Sequence, residues 1–276
     1  MAKQDLVRVF EDTKKFYTEN TFLQEAIKNS IADTCFYAEN DHPSFKKKDV
    51  VSNITVTKFK TIDSASYFKR KYPNKNVCIL NFASATNPGG GVEYGSSAQE
   101  EAICRTTILF PVLNTKENMK NFYYMHRNRK DAAYTDAIIY TPNIVIIKTD
   151  SDIPSRLPQN KFQTINVITC AAPNLRAIPN NKFNPGKDKA VSLSDNDIYN
   201  LHVKRAKHIL TVAAANGNDI IVLGAFGCGV FQNPPDTVAR AYHDVIKDFS
   251  FDEINFAVYC TPHDKRNFEA FKKEFS

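Results

Sequence analysis

Glycine is scarce in this chain, nine residues in 276, and its six cysteines show no pairing pattern. Cys35, Cys78, Cys104, Cys170, Cys228 and Cys260 are scattered without Cys-x-x-Cys spacing, so reduced and mostly buried thiols are expected. No run approaches the roughly 20 apolar residues that a membrane-spanning helix needs, and the opening Met-Ala-Lys-Gln-Asp-Leu has no apolar signal region. These absences predict a cytoplasmic or nuclear protein, in a host cell if its source is a parasite or pathogen. The histidines (His42, His126, His202, His208, His243, His263) form no His-x-x-x-His pair and no His/Cys cluster, so neither a metal nor a cofactor is expected. His202 and His208, six apart, share no helical face well and are expected at surface or capping positions. Internal repeats and low-complexity segments are absent too.

What is present is an ordinary globular composition, 42% hydrophobic and 24% charged, long enough to bury a sizeable core. The net charge of +6 is spread along the chain. Its densest clusters, Lys46-Lys47-Lys48 and residues 126–130, read as solvated faces. The balance is compatible with an anionic ligand and gives no support for sequence-specific nucleic-acid binding.

Residues 3–38 carry Leu6, Val9, Phe10, Phe16, Phe22, Leu23, Ile27 and Ile31 at helical spacing, with a break or cap at Asn20 or Thr21. From residue 52 strands and helices alternate: a strand near 54–59, a helix over 64–71, a buried strand over 77–82, a loop, then a helix from about 98. The apolar run 137–147 is split by Pro142-Asn143 and reads as two short strands joined by a turn. A strand over 164–170 leads to a polar, proline-containing excursion over 174–193 close to the site. A long helix over 194–215 ends at Gly217, and a further strand, helix, strand and helix complete the chain. This is α/β grammar.

Two glycine-rich loops, each leaving a buried strand and entering a helix, are the places where a ligand would bind such a fold. In the first, Gly89, Gly90 and Gly91 remove every Cβ from one surface, so an anion such as a diphosphate can meet backbone N–H groups directly. After seven intervening residues come Gln99, Glu100 and Glu101, at the start of a helix whose dipole favours carboxylates. The bland alternative is a capping box from Ser96 or Ser97. The second loop runs Gly224-Ala-Phe-Gly-Cys-Gly-Val-Phe231, followed by Pro234-Pro235 at a helix start. It lacks the Gly-x-Gly-x-x-Gly spacing and the acidic partner of a dinucleotide-dependent oxidoreductase.

The triple glycine followed by Gln-Glu-Glu, with Asn81-Phe82-Ala83 and Pro88 before it and Cys104-Arg105 after it, resembles the signature of microbial-type poly(ADP-ribose) glycohydrolases. The second loop, with Asn233-Pro234-Pro235, is similar to the phosphate-binding loop of the macrodomain superfamily to which they belong. The resemblance implies a macrodomain-like three-layer α/β/α fold with a central mixed sheet: one domain over 1–276, with a helical extension over 1–50 and the ADP-ribose-binding catalytic core over 51–276. It implies that Glu101 is the acid/base and that Glu100 and Asn87 hydrogen-bond the ribose beside the cleaved bond. Gly89, Gly90, Gly91, Gly227, Cys228 and Gly229 would give backbone donors to the diphosphate. Phe231 would pack on the ribose, with Gln99, Val230 and Phe226 as further contacts.

The implied reaction is hydrolysis of ribosyl–ribose O-glycosidic bonds to release ADP-ribose. It passes through an oxocarbenium-like state and needs a proton for the leaving oxygen, then an activated water. A neighbouring carboxylate helps one acid keep its proton near neutrality, which gives Glu100 a physical reason to adjoin Glu101. Two alternatives share the fold: a hydrolase of mono-ADP-ribosyl groups on proteins or nucleic-acid bases, and a non-catalytic ADP-ribose reader. The expected partners are ADP-ribose, its polymer and ADP-ribosylated macromolecules, met by a monomer that engages no membrane.

Overall fold

The computed structural model describes residues 2–182 and 184–276. It opens with α1 (Lys3–Glu19) and α2 (Thr21–Ala32). Between them the Asn20 side chain accepts the Leu23 N–H at 3.0 Å, satisfying one of the donors that a helix start leaves unpaired. The helical stretch is shorter than its apolar spacing suggests: its last residues form β1 (Cys35–Tyr37), drawn into antiparallel pairing with a distant strand.

Next come β2 (Asn53–Thr57), α3 (Thr61–Lys71), β3 (Val77–Phe82) and α4 (Gln99–Thr106). Three short helices follow, α5 (Leu109–Leu113), α6 (Lys116–Asn118) and α7 (Met125–Arg129), the last two joined by a π-helical stretch Met119–Tyr124. The rest is β4 (Ile138–Ile146), β5 (Gln163–Cys170), α8 (Asp195–Ala215), β6 (Ile220–Leu223), α9 (Pro235–Ile246), β7 (Glu253–Ala257) and α10 (Arg266–Glu274).

All seven strands lie in one mixed sheet, ordered β1-β4-β5-β3-β6-β7-β2. The five strands from β5 to β2 run parallel, and β4 and β1 are added antiparallel at one side. Alternation along the strands sends side chains to two cores. Val77, Ile79, Ile220 and Val222 face Phe10, Leu23, Ile62 and Leu109 of the helices α1 to α5, whereas Cys78, Leu80, Ile221 and Leu223 face Ile209, Val238 and Phe271 of α8 to α10. The result is a three-layer α/β/α sandwich whose central strand, β3, is covered on both faces.

The expected turn at Pro142-Asn143 is instead a bulge inside the single strand β4, where the register against β5 shifts between Thr141 and Ile144. A bulge interrupts the ladder, so the N–H that proline lacks removes no rung. Asn143 takes φ +61° there, and the Pro142 carbonyl accepts the Ser30 hydroxyl at 2.6 Å, which ties α2 to the sheet. No described helix is long and apolar enough to cross a membrane.

Candidate active site

β3, β5 and β6 are parallel neighbours, so the loops that follow them emerge at one edge of the sheet. They touch there. A Cβ on Gly224 would stand 2.9 Å from Cζ of Phe82, and one on Gly227 would stand 2.6 Å from Cβ of Ala172. The Leu175 N–H donates to the Phe231 carbonyl at 3.0 Å, and the Asn233 amide donates to the Pro173 carbonyl at 2.7 Å.

The acid pair sits beneath the first loop. α4 begins at Gln99 behind Ala98, with no side-chain cap, so the capping box does not form. The Gln99 amide instead faces β3: it accepts the Phe82 N–H at 2.9 Å and donates to the Leu80 carbonyl at 2.7 Å and to the Thr61 hydroxyl at 3.1 Å. Gln99 therefore fixes the start of α4 to the strand, where a ligand contact was expected.

Glu100 is 3% exposed and Glu101 7%. Glu100 accepts the Ser84 N–H at 2.7 Å on Oε2 and the Asn81 amide at 3.3 Å on Oε1. Each oxygen thus has a protein donor. Burial first, and the charge of Glu101 second, push its carboxyl up to about 8. Glu101 takes the Gly91 N–H on Oε1 at 2.9 Å, while Oε2 is buried with no hydrogen-bond partner among the described residues.

The triple glycine shapes this nest differently from the sequence expectation. Gly89 and Gly90 adopt φ +66° and +58°, and a Cβ on Gly90 would lie 2.6 Å from Oε1 of Glu101. The N–H of Gly89 points at Glu100, that of Gly90 bonds the Asn87 carbonyl at 3.0 Å, and that of Gly91 bonds Glu101. Two of these donors thus serve the buried carboxylates and the third closes the turn at Asn87, where donors to a diphosphate were expected. Asn87, half-buried, donates its amide to the Gly90 carbonyl and closes the turn.

The second loop behaves in the opposite way. Among the described residues, the N–H groups of Gly227, Gly229, Val230 and Phe231 have no acceptor, whereas that of Cys228 bonds the Ala225 carbonyl at 3.1 Å. Gly229 has no neighbour within 4 Å of a built Cβ, and Val230 is 61% exposed. Phe231 is half-buried with its ring 6.2 Å from that of Tyr134. The side chains of Phe226 and Cys228 point into the core; Phe226 packs on Phe82 at 5.6 Å and is fully buried, so its ring offers no surface to a ligand.

Several residues that shape the site carry little signal in the sequence. Asn81, the one polar residue of an otherwise apolar buried strand, was the legible clue. Asn184 in the 174–193 excursion accepts the Thr86 hydroxyl at 2.7 Å and donates to the Tyr134 hydroxyl at 2.9 Å, which straps the excursion over the first loop. Residues 126–130, expected to be a solvated face, include His126, fully buried between the Phe122 carbonyl and the Thr135 hydroxyl, and Arg127, whose Nε donates to the Thr86 carbonyl at 2.7 Å. His202 and His208 are buried as well, bonded to Asn233 at 2.8 Å and to the Asp136 carbonyl at 2.7 Å.

Comparison with known proteins gives a consistent picture. The family model described as "Microbial-type PARG, catalytic domain" matches residues 5–149, just over half of the chain. A crystal structure of poly(ADP-ribose) glycohydrolase from Thermomonospora curvata is 25% identical, with 98% of this chain and 99% of that one covered and a TM-score of 0.83. The enzyme from Deinococcus radiodurans in complex with ADP-ribose is 28% identical, with coverage of 90% and 96% and a TM-score of 0.73. No curated protein sequence matches.

Proposed function

The chain belongs to the microbial-type PARG catalytic-domain family, and from that premise we propose that Glu101 is the general acid and base of a poly(ADP-ribose) glycohydrolase. The observation that carries the assignment is Oε2 of Glu101, a buried carboxylate oxygen with no donor, on a side chain whose other oxygen is fixed by Gly91. An oxygen in that position is suited to carry a proton. Beside it, burial and the neighbouring charge of Glu101 push the Glu100 carboxyl up to about 8, so Glu100 enters neutrality holding its proton.

In the proposed sequence the pyrophosphate lies on the outward N–H groups of Gly227, Gly229, Val230 and Phe231. The ribose then sits between Phe231 and Glu101, with Oδ1 of Asn87 turned to a ribose hydroxyl. Glu101 protonates the leaving oxygen as the glycosidic bond breaks, and the oxocarbenium-like sugar is attacked by a water that the same carboxylate deprotonates. The remote phosphate contacts hold the reacting carbon in place. The acid without a partner also favours an enzyme over a reader, because a binder gains nothing from it.

We further propose that residues 1–276 work as one unit, with the helices before residue 51 as its extension. The Thr13 hydroxyl donates to the Arg105 carbonyl of α4 at 2.6 Å, and the buried Lys148 amine reaches the Val9 carbonyl and Asp12, both at 2.8 Å. Free thiols at all six cysteines are consistent with a cytoplasmic or nuclear monomer.

The test is incubation with poly(ADP-ribose), with mono-ADP-ribosylated protein and with mono-ADP-ribosylated DNA, followed by quantification of released ADP-ribose. Release from the polymer is expected. Release from the mono-modified substrates alone would transfer the assignment to the mono-ADP-ribosyl hydrolases, and no release from any would remove the activity.

A further inference from the structure

The sheet ends differently on its two sides. β1, at one end, is three residues long. β2, at the other, is the five-residue uncharged run Asn-Ile-Thr-Val-Thr, paired with β7 on one side only. The Asn53 N–H donates to the Asp252 carbonyl at 3.4 Å and the Thr57 carbonyl accepts the Val258 N–H at 2.9 Å, so the backbone groups of Asn53, Thr55 and Thr57 face β7. Alternation turns the N–H and C=O groups of Ile54 and Val56 outward, where they have no partner among the described residues. An unpaired edge without charge is a template for another extended backbone.

Beside that edge lies a groove of about 300 Å³ between β2 and α3. Asn53, Thr55 and Thr57 line it together with Glu253 and Asn255 of β7, and these polar groups are already matched. Glu253 accepts the Asn53 amide at 2.7 Å and the Tyr72 hydroxyl at 2.8 Å, with the Lys71 amine at 3.4 Å. Asn255 donates to the Thr55 hydroxyl at 2.8 Å and accepts the Ser64 hydroxyl at 2.7 Å. The groove therefore calls for no ion. It also presents the rings of Phe59 and Tyr67, 43% and 40% exposed and 6.0 Å apart. A strand laid along β2 would send every second side chain to that face.

Lysines and arginines occur along the whole chain, but their excess over the acids does not. Residues 46–71 hold eight of them against Asp49 and Asp63, an excess equal to the net +6 of the entire protein. Lys58 and Lys60 follow β2 directly, and Lys69, Arg70 and Lys71 make the last turn of α3. Nζ of Lys58 lies 5.0 Å from the Phe268 ring of α10, on the face of the edge away from the groove.

We propose that the groove between β2 and α3 is a docking site for an acidic, extended segment of a partner protein. The segment pairs with the outward groups of Ile54 and Val56, lays apolar side chains against Phe59 and Tyr67, and turns its acids to the surrounding cations. Backbone pairing gives affinity, the groove selects the alternate side chain, and the charge selects the partner. A second copy of this chain would bring the same positive excess to the contact. A phosphate chain would offer acceptors alone and no donor to the two outward carbonyls.

The probe is a fluorescein-labelled peptide of about ten residues, alternating valine and glutamate, titrated with the whole protein by fluorescence anisotropy. Saturable binding that weakens with salt is expected. N-methylation of every valine in one peptide, and of every glutamate in another, removes the N–H groups along one edge of the strand at a time. One of the two should lose binding and the other keep it, a readout that needs no change to the protein. Tyr67→Ala should weaken binding about tenfold, with Tyr67→Phe close to the parent, and Arg70→Glu should weaken it and reduce its dependence on salt. Absence of binding at low salt, equal behaviour of the two N-methylated peptides, or unchanged affinity in Tyr67→Ala would overturn the site. An oligothymidylate that binds as tightly and is lost in the same variants would overturn it in favour of a polyanion surface. A dimer seen by sedimentation and dissolved by Tyr67→Ala would give the edge to a second copy instead.

Discussion

The two glycine loops look interchangeable as strings of letters, yet they use their backbones in opposite senses. In the first, the N–H groups of Gly89, Gly90 and Gly91 turn inward, two of them to buried carboxylates. In the second, those of Gly227, Gly229, Val230 and Phe231 point away from any protein acceptor. One loop spends its donors within the protein, and the other leaves them without a protein acceptor among the described residues. The difference lies in what each loop covers: the first lies over the start of α4 with its two glutamates, the second over the apolar contacts of Phe226 and Phe82. Glycine grants close approach in both places, and the group that approaches differs.

Substitutions can break this contrast. The largest effect is expected at the end of the first loop's network: Glu101→Gln should lower turnover by ~10²–10⁴ while ADP-ribose affinity stays nearly intact. Steady-state kinetics beside calorimetry will measure it, and retained turnover would remove Glu101 from the acid/base role. Gly90→Ala comes next. Its φ of +58° disfavours any Cβ, and this one would press on Glu101; we expect a loss of about 1–3 kcal/mol in chemical denaturation and up to ~10² in turnover.

Glu100→Gln sharpens the comparison through pH. Between the ordinary carboxyl value of 4.5 and about 8, the unfolded chain has released the Glu100 proton and the folded chain still holds it. The folded state therefore loses stability as pH rises through that window, by an amount on the order of a few kcal/mol. The amide cannot ionise. The melting temperature of the variant relative to the parent should rise from pH 5 to pH 8 and then level off; a difference independent of pH would contradict the raised carboxyl. The smallest effect is expected at Gly229→Ala in the second loop, where open space surrounds the new methyl. Its thermal stability should match the parent within about 0.5 kcal/mol, while Gly90→Ala does not.

Much of the architecture was legible in local patterns. Both glycine loops lie between a buried strand and a helix, as the switch from unbroken apolar runs to glycine predicted, and the α/β/α layering followed from alternation of elements. What escaped was set by partners far away along the chain. His202 and His208 have poor mutual spacing on one helix, yet each is buried by a bond to a residue 31 or 72 positions distant. The Pro142 bulge is stabilised by Ser30, 112 positions away. The inward turn of the triple glycine was hidden for the same reason: nothing in three glycines says whether a carboxylate lies beneath them. Asn81 shows where the limit falls, since a lone polar residue in an apolar strand announces that it has a partner but not which one.

Gln99 has one last implication. Its side-chain amide meets the Phe82 N–H and the Leu80 carbonyl of β3 as a peptide group of an adjacent strand would. The helix bearing both glutamates is thereby stapled to the middle of the sheet by the same kind of rung that holds the sheet together. Both carboxylates are therefore set in place when the protein folds, and on the role proposed for Glu101 loosening that single amide would detune catalysis without touching the acid itself.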